Sequence, residues 1–351
     1  MSVVIFLIVL SALVLVHELG HFIAAKLCNV SVREFGLGFP PKIARLFRWR
    51  ETVFTLNALP FGGFVKMEGE DEEVLPSPKS FSVKHPLQKL TILVAGIVGN
   101  ILFAWFLISI VLASGVQLPV DVAGTHGVTG TEQTVIVEVQ KGSPAEIAGI
   151  IPGVTLQNFS PDTLHDAVVT SNGNPVVIQT VNQDNQEASY TVTPEFNTDE
   201  GVYKIGIASD QIVQARFPFF SAIGNGFLMT AHLVKQVSVG IATLIGGLFM
   251  GHADTSGVTG PVGLVGIVGG ASKAGFASLL TLMAIISINL AVINIVPFPA
   301  LDGGRIFVTI IEWIRGKQFN QKILGNIHSI GFMILIGLLV LVTIKDIKGL
   351  F

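Results

Sequence analysis

His17-Glu18-Leu19-Gly20-His21 is the stretch of this chain that could do chemistry by spacing alone. On a helix, two imidazoles at i and i+4 stand one turn apart on the same face. They can share one zinc ion, while the intervening carboxylate can serve as general base. The residues around the motif, from Ser2 to Lys26, are almost wholly apolar. Ionisable side chains inside a membrane span are costly, and by default they mark function. Two histidines leave a catalytic zinc site one ligand short, because such sites use three protein ligands and keep a position for water. The single cysteine, Cys28, excludes both an internal disulfide and a cysteine-rich metal site. The missing ligand is therefore His, Asp or Glu, and Asp302 fits best. It ends the run Asn294-Ile295-Val296-Pro297-Phe298-Pro299-Ala300-Leu301-Asp302, is followed by Gly303-Gly304, and follows an apolar segment. Two prolines break the helix before it, and the glycines let the backbone turn around the carboxylate.

The elements that must position these groups are membrane helices. Of the 351 residues, 50% are hydrophobic and only 13% charged, where a soluble domain would be about a quarter charged. The net charge of −3 comes with no basic patch, so no nucleic-acid partner is expected. Four stretches reach the ~20 apolar residues that a span needs: residues 3–27, 90–113, 276–296 and 327–344. The first is read as a retained span, since it lacks a basic start and cleavage near Ala24-Ala25 would discard the histidine motif. Residues 217–250 are apolar but interrupted by His232, Lys235, Gln236 and glycines. They read as an amphipathic or interfacial helix, with a fifth span as the alternative.

Orientation follows from Lys and Arg. Residues 26–89 carry ten and the loop after the third span four (Arg305, Arg315, Lys317, Lys322), against five in the long segment between spans two and three. The first and third loops are expected to be cytoplasmic, and both termini and the middle segment to face outward.

Residues 51–67 hold two β-prone arms around Leu59-Pro60-Phe61-Gly62-Gly63, which reads as a hairpin. It is too apolar for a solvated hairpin, so it is expected to dip into the membrane beside protein, with a surface hairpin as the alternative. An exposed strand edge there could accept an unwound substrate by strand addition. Gly62, Gly63, Phe64 and Val65 are the candidate substrate-binding residues. Residues 68–80 read as a mobile acidic linker. Residues 120–214 are polar, with alternating runs such as Thr134-Val135-Ile136-Val137-Glu138-Val139, and form a separate β-rich module. Gly257 to Gly263 reads as a glycine-proline loop before the third span. The domain plan is thus 1–115 and 274–351 as two halves of a membrane core, 120–214 as the inserted module, and 215–273 as an interfacial helix and loop.

Together, His-Glu-Leu-Gly-His on the first span and Asn294 to Gly304 after the third resemble the site-2 protease family, peptidase family M50. These are intramembrane zinc metalloproteases, and the nearest type is the bacterial regulator-of-sigma-E protease. Gly62-Gly63-Phe64-Val65-Lys66-Met67 is similar to the family's hairpin motif, and Gly260-Pro261-Val262 to its Gly-Pro loop. The resemblance implies zinc as cofactor, His17, His21 and Asp302 as ligands, and Glu18 as catalytic acid/base. It also implies Asn294 as a catalytic residue that holds the substrate backbone or the oxyanion. The alternative for Asn294 is that it ties helices together, as Asn100 and Asn289 are taken to do. Gly142-Ser143-Pro144-Ala145-Glu146-Ile147-Ala148-Gly149 resembles the signature of PDZ domains of bacterial proteases, and Lys204-Ile205-Gly206-Ile207 a strand end of the same module. Val154-Thr155-Leu156-Gln157-Asn158-Phe159 lacks the family's Asp and Asn-Gly, which leaves a generic small β-domain open. Many relatives have two tandem PDZ modules, and this chain has room for one.

The resemblance further implies a multi-pass protein of the bacterial inner (plasma) membrane, its active site toward the cytoplasm and the PDZ-like module outside. Its partners would be the bilayer and single-span substrates pre-trimmed by another protease, such as anti-sigma factors, or remnant signal peptides. A catalytically silent scaffold would have a broken metal constellation, and a metal transporter would need more polar residues along a path. The other histidines (His85, His126, His165, His232, His252 and His328) lack partners at ligand spacing and are taken as structural or exposed. The Gly246-Gly247 and Gly269-Gly270 pairs are taken as packing or turns.

Overall fold

A computed structural model describes residues 1–70, 77–119, 132–182, 186–198, 201–252 and 259–348. The chain divides into two compact units, one of residues 1–111 and 223–351, the other of residues 112–222.

In the first unit, α1 (Ser2–Leu27) is one unbroken helix. Two long antiparallel strands follow, β1 (Val32–Trp49) and β2 (Thr52–Met67), and then α2 (Pro86–Ser114). After the second unit the chain continues as α5 (Phe219–Met250), α6 (Pro261–Ala274), α7 (Phe276–Ile295), α8 (Asp302–Arg315) and α9 (Gln321–Lys348). Five of these helices are long and apolar enough to cross a membrane: α1, α2, α7, α9 and the segment Phe219–Leu248 of α5. To the four expected spans α5 adds a fifth helix of sufficient length and apolarity, the segment read as interfacial or as a fifth span. Its polar interruptions do not break the helix, because any side chain but proline leaves the backbone ladder intact. The expected glycine-proline loop is also revised. Gly260 is the N-cap of α6 and Pro261 its first residue, where a missing N–H costs nothing. Gly257 and Val258 of that loop lie outside the described residues.

The hairpin is larger than its sequence signature. Each strand folds over on itself, so Phe35 pairs with Val65 on one side and Phe54 on the other, and Leu37 with Gly63 and Leu56. The two predicted arms therefore flank the 34–37 segment instead of pairing with each other. Farther along, Arg45 pairs with Thr55 and Trp49 with Thr52. Residues 63–66 have a strand partner on one side alone among the described residues. A core of Phe22, Ala25, Val30, Val32, Phe35, Met67 and Ile92 locks this sheet to the end of α1 and the start of α2. Lys26 closes the same joint with an ion pair to Glu51 (3.1 Å), holding that carboxyl below its usual range. Of the linker after β2, residues 71–76 lie outside the described residues. Its two ends are tied to Ser31, whose N–H donates to the Lys79 carbonyl (3.0 Å) and whose carbonyl accepts from Glu68 (2.9 Å).

The second unit is a six-stranded antiparallel sheet in the order β3-β10-β4-β5-β6-β7. Its strands are β3 (Val116–Pro119), β4 (Gln133–Val139), β5 (Thr155–Leu156), β6 (Val176–Val181), β7 (Glu187–Val192) and β10 (Ile207–Ala215). A small ribbon, β8 (Glu195–Asn197) with β9 (Val202–Lys204), and two helices complete it. The short helix expected from Pro144 is α3 (Pro144–Ile147), N-capped by Ser143. The second helix, α4 (Pro161–Thr170), starts with a capping box between Ser160 and Thr163. The alternating strands bury Ile136, Leu156, Ile178 and Val192 against Ala145 of α3, Ile150 just after it, and Leu164 and Val168 of α4. A fully buried Ile in such a core stabilises by about 1.5–3 kcal/mol.

Candidate metal centre

His17 and His21 lie on the inner face of α1, both 7% exposed. Their ring centroids are 4.7 Å apart, as the one-turn spacing allows, and the rings are nearly perpendicular. Small residues let α2 approach behind them. A side chain at Gly96 would collide with the His21 imidazole and lie 2.8 Å from His17 Cε1, and one at Gly20 would strike the Ala95 carbonyl. His21 Nδ1 donates to the Ile92 carbonyl (2.8 Å) on α2, which frees Nε2 to offer its lone pair.

The third group arrives on α8. The chain leaves α7 at Ile295, turns through Pro297 and Pro299, and re-enters a helix at Asp302. Ala300 sits at φ 78°, its N–H donating to His328 Nδ1 on α9 (3.2 Å), so His328 braces the turn. Gly303 and Gly304 lie against the carbonyls of Val296 and Phe298, where a Cβ would not fit. Asp302 at the start of α8 also meets the positive end of that helix.

Three ligand-type atoms converge here. Asp302 Oδ2 is 3.0 Å from His17 Nε2 and 3.3 Å from His21 Nε2, and the two Nε2 atoms are 3.2 Å apart. Tetrahedral zinc with ligands at about 2.0–2.1 Å places neighbouring ligand atoms about 3.3 Å apart, so the set fits zinc. Oδ2 is buried, and although both Nε2 atoms are near, none is aligned as a hydrogen-bond donor to it among the described residues. Among the described residues this is the cluster of three potential ligands that could hold a metal.

Beside it is a cavity of about 230 Å³, lined by the three residues together with Glu18, Phe64, Val65 and Met67. A Cβ on Gly63 would lie 3.4 Å from Glu18 Cγ, so the strand passes close to Glu18 at Gly63, and Phe64 and Val65 share its cavity. Gly62, at φ 103°, packs instead against the Phe39 ring. Asn294 is buried on α7 but is not among the residues lining this cavity. Three contributors escape sequence reading. Glu70 and Arg305 line the cavity and form an ion pair with each other, and Asn100 reaches His17 from α2. Arg305 directly follows Gly303-Gly304, and Asn100 is a lone amide in an apolar span, but neither signal names a partner. Of the remaining histidines, His126 lies outside the described residues.

A model of peptidase family M50 matches residues 5–338. A relative from Clostridium perfringens that carries a zinc metalloprotease name is 36% identical over 99% of this chain and 98% of its own. Zinc metalloprotease RasP of Geobacillus kaustophilus is 28% identical over 100% of this chain and 98% of its own. Regulator of sigma-W protease RasP of Bacillus subtilis is 26% identical, covering 100% and 99%. With its five apolar helices and its zinc-sized triad, the chain belongs to peptidase family M50 and is a zinc-dependent metalloendopeptidase of the membrane.

Proposed function

We propose that this protein hydrolyses peptide bonds within or near transmembrane segments of other membrane proteins, with His17, His21 and Asp302 holding the zinc. The observation that carries the reading is the convergence of their three ligand atoms at 3.0–3.3 Å on apolar helices. When bound, zinc supplies an acidified water and polarises the scissile carbonyl. Glu18 takes the proton from the attacking water and returns it to the leaving amine. Asn294 donates to the substrate backbone or the developing oxyanion. A substrate helix must unwind before cleavage, because its backbone groups are already paired. The one-sided strand at Gly63, Phe64 and Val65 offers new partners by strand addition beside Glu18. Replacing Glu18→Gln should abolish cleavage of a membrane-embedded reporter while zinc stays bound; persistent cleavage overturns the reading.

The second unit is proposed as a PDZ-like module. A groove of about 460 Å³ runs between α4 and the β9–β10 corner, lined by Leu164, His165, Val168, Ile205 and Ile207. Among the described residues, β10 pairs with β3 from Ile212 to Ala215 and with β4 from Ile207 to Ile212, so there its first half has a strand partner on the β4 side alone. An extended peptide could add there. The proposed substrates are single-span proteins already trimmed by another protease, anti-sigma factors or remnant signal peptides among them, with the module outside and the metal centre toward the cytoplasm of a bacterial inner membrane. The excess of Lys and Arg in residues 26–89 supports that orientation. Removing residues 120–214 should admit untrimmed substrates; unchanged selectivity counts against a filtering role.

A further inference from the structure

No motif marks Asn100, yet it touches a proposed ligand from behind. Its side chain is fully buried, with Nδ2 3.3 Å from His17 Nδ1. The other end of the amide, Oδ1, is buried with no hydrogen-bond partner among the described residues. The Asn100 backbone carbonyl accepts from Ser287 Oγ on α7 (2.8 Å), so the residue is held between helices independently of its amide.

A neutral imidazole carries one proton. If His17 Nε2 is to present a lone pair to a metal, the proton must sit on Nδ1, and a buried N–H there needs an acceptor. His21 meets the same need with the Ile92 carbonyl. For His17, the group in place is the carboxamide of Asn100. Its oxygen and nitrogen are nearly isosteric, so a half-turn of the amide puts Oδ1 in the 3.3 Å position without displacing another atom. As placed, the Oδ1 end of the amide is buried without a partner, which is costly. An apolar side chain would pack there without that cost. The contact with His17 is what accounts for an asparagine at this place.

Resting on the assignment of His17 as a zinc ligand, we infer that Asn100 is a positioning residue whose Oδ1 accepts the His17 Nδ1 proton and fixes the tautomer that binds metal. Outer partners of this kind orient the ligand, and their loss costs metal affinity.

The test uses the full-length protein in detergent and zinc alone, with affinity read by competition against a chelator. Asn100→Leu should weaken zinc binding by about 10–100-fold. Asn100→Asp keeps an acceptor and should restore most of that loss. Ser287→Ala removes the helix contact at the same residue but not the one to His17, and should leave zinc affinity unchanged. With cobalt in place of zinc, the absorption bands should shift for Asn100→Leu and not for Ser287→Ala. Wild-type zinc affinity in Asn100→Leu overturns the inference. So does a loss of equal size in Ser287→Ala, or a folded Asn100→Asp that binds no better than Asn100→Leu. If Asn100→Leu does not fold, Asn100→Ala carries the same comparison. Should His17→Ala bind zinc as tightly as wild type, the ligand assignment itself fails, whatever the Asn100 variants do.

Discussion

Buried polar side chains serve different ends in the two units. In the β-rich unit they are Thr134, Ser143 and Thr180, short hydroxyls on strands and at a helix start. Ser143 accepts from the Glu146 N–H and caps α3. In the helical unit they include His17, His21, Asn100 and Asn294, all on apolar helices. A span satisfies its own backbone, so a polar side chain inside it is costly and either ties helices together, as Ser287 does, or serves function. A small sheet domain instead relies on such groups at turns and caps. The same burial thus marks chemistry at the histidines of the helical unit and architecture in the β-rich one, while hydroxyls such as Ser31 and Ser287 remain structural in the helical unit too.

Substitutions can break this division. The largest effect is expected from Asp302→Asn, which removes the anionic ligand. Zinc affinity should fall by more than the ~10–100-fold that loss of an outer partner costs, and proteolysis should cease. Metal analysis of the purified variant checks this, and unchanged zinc content would remove Asp302 from the site. In the other unit, Ile178→Ala should destabilise the sheet by about 2–5 kcal/mol, because Ile178 is fully buried among Ile136, Leu156 and Val192. Limited proteolysis of the full-length protein should show residues 112–222 cut sooner, with bound zinc unaltered. A coupled loss of zinc would contradict the division. Gly96→Ala should have the smallest effect. Its Cβ must push the His21 imidazole, so zinc should weaken by about tenfold while the helices stay folded. A variant with native affinity would show that α2 can shift away.

Much of the site was legible because it is local. His17, Glu18 and His21 share one helical turn, and the spacing alone puts the imidazoles together. Asp302 was legible as a candidate because glycines and prolines surround it. The sheet was half legible. Residues 51–67 alternate and carry a turn signal, whereas residues 32–49 hide a strand behind Gly36, Gly38, Pro40 and Pro41. Those residues ordinarily argue against a strand, and they are accommodated because the strand folds over on itself there. α5 was ambiguous because period and hydropathy do not separate an interfacial helix from a span when a few polar residues interrupt it.

What the sequence determined by itself is the chemistry on offer: two imidazoles and a carboxylate on one helix, a second carboxylate in a helix break, and enough apolar length to place them in a membrane. The tertiary structure decided which atoms meet. The approach of α2 through Gly96, the turn braced by His328, and the double pairing of residues 34–37 all join segments far apart in the chain. Helical periodicity and turn propensity act over a few residues. Convergence within about 3 Å depends on packing, which no local pattern encodes.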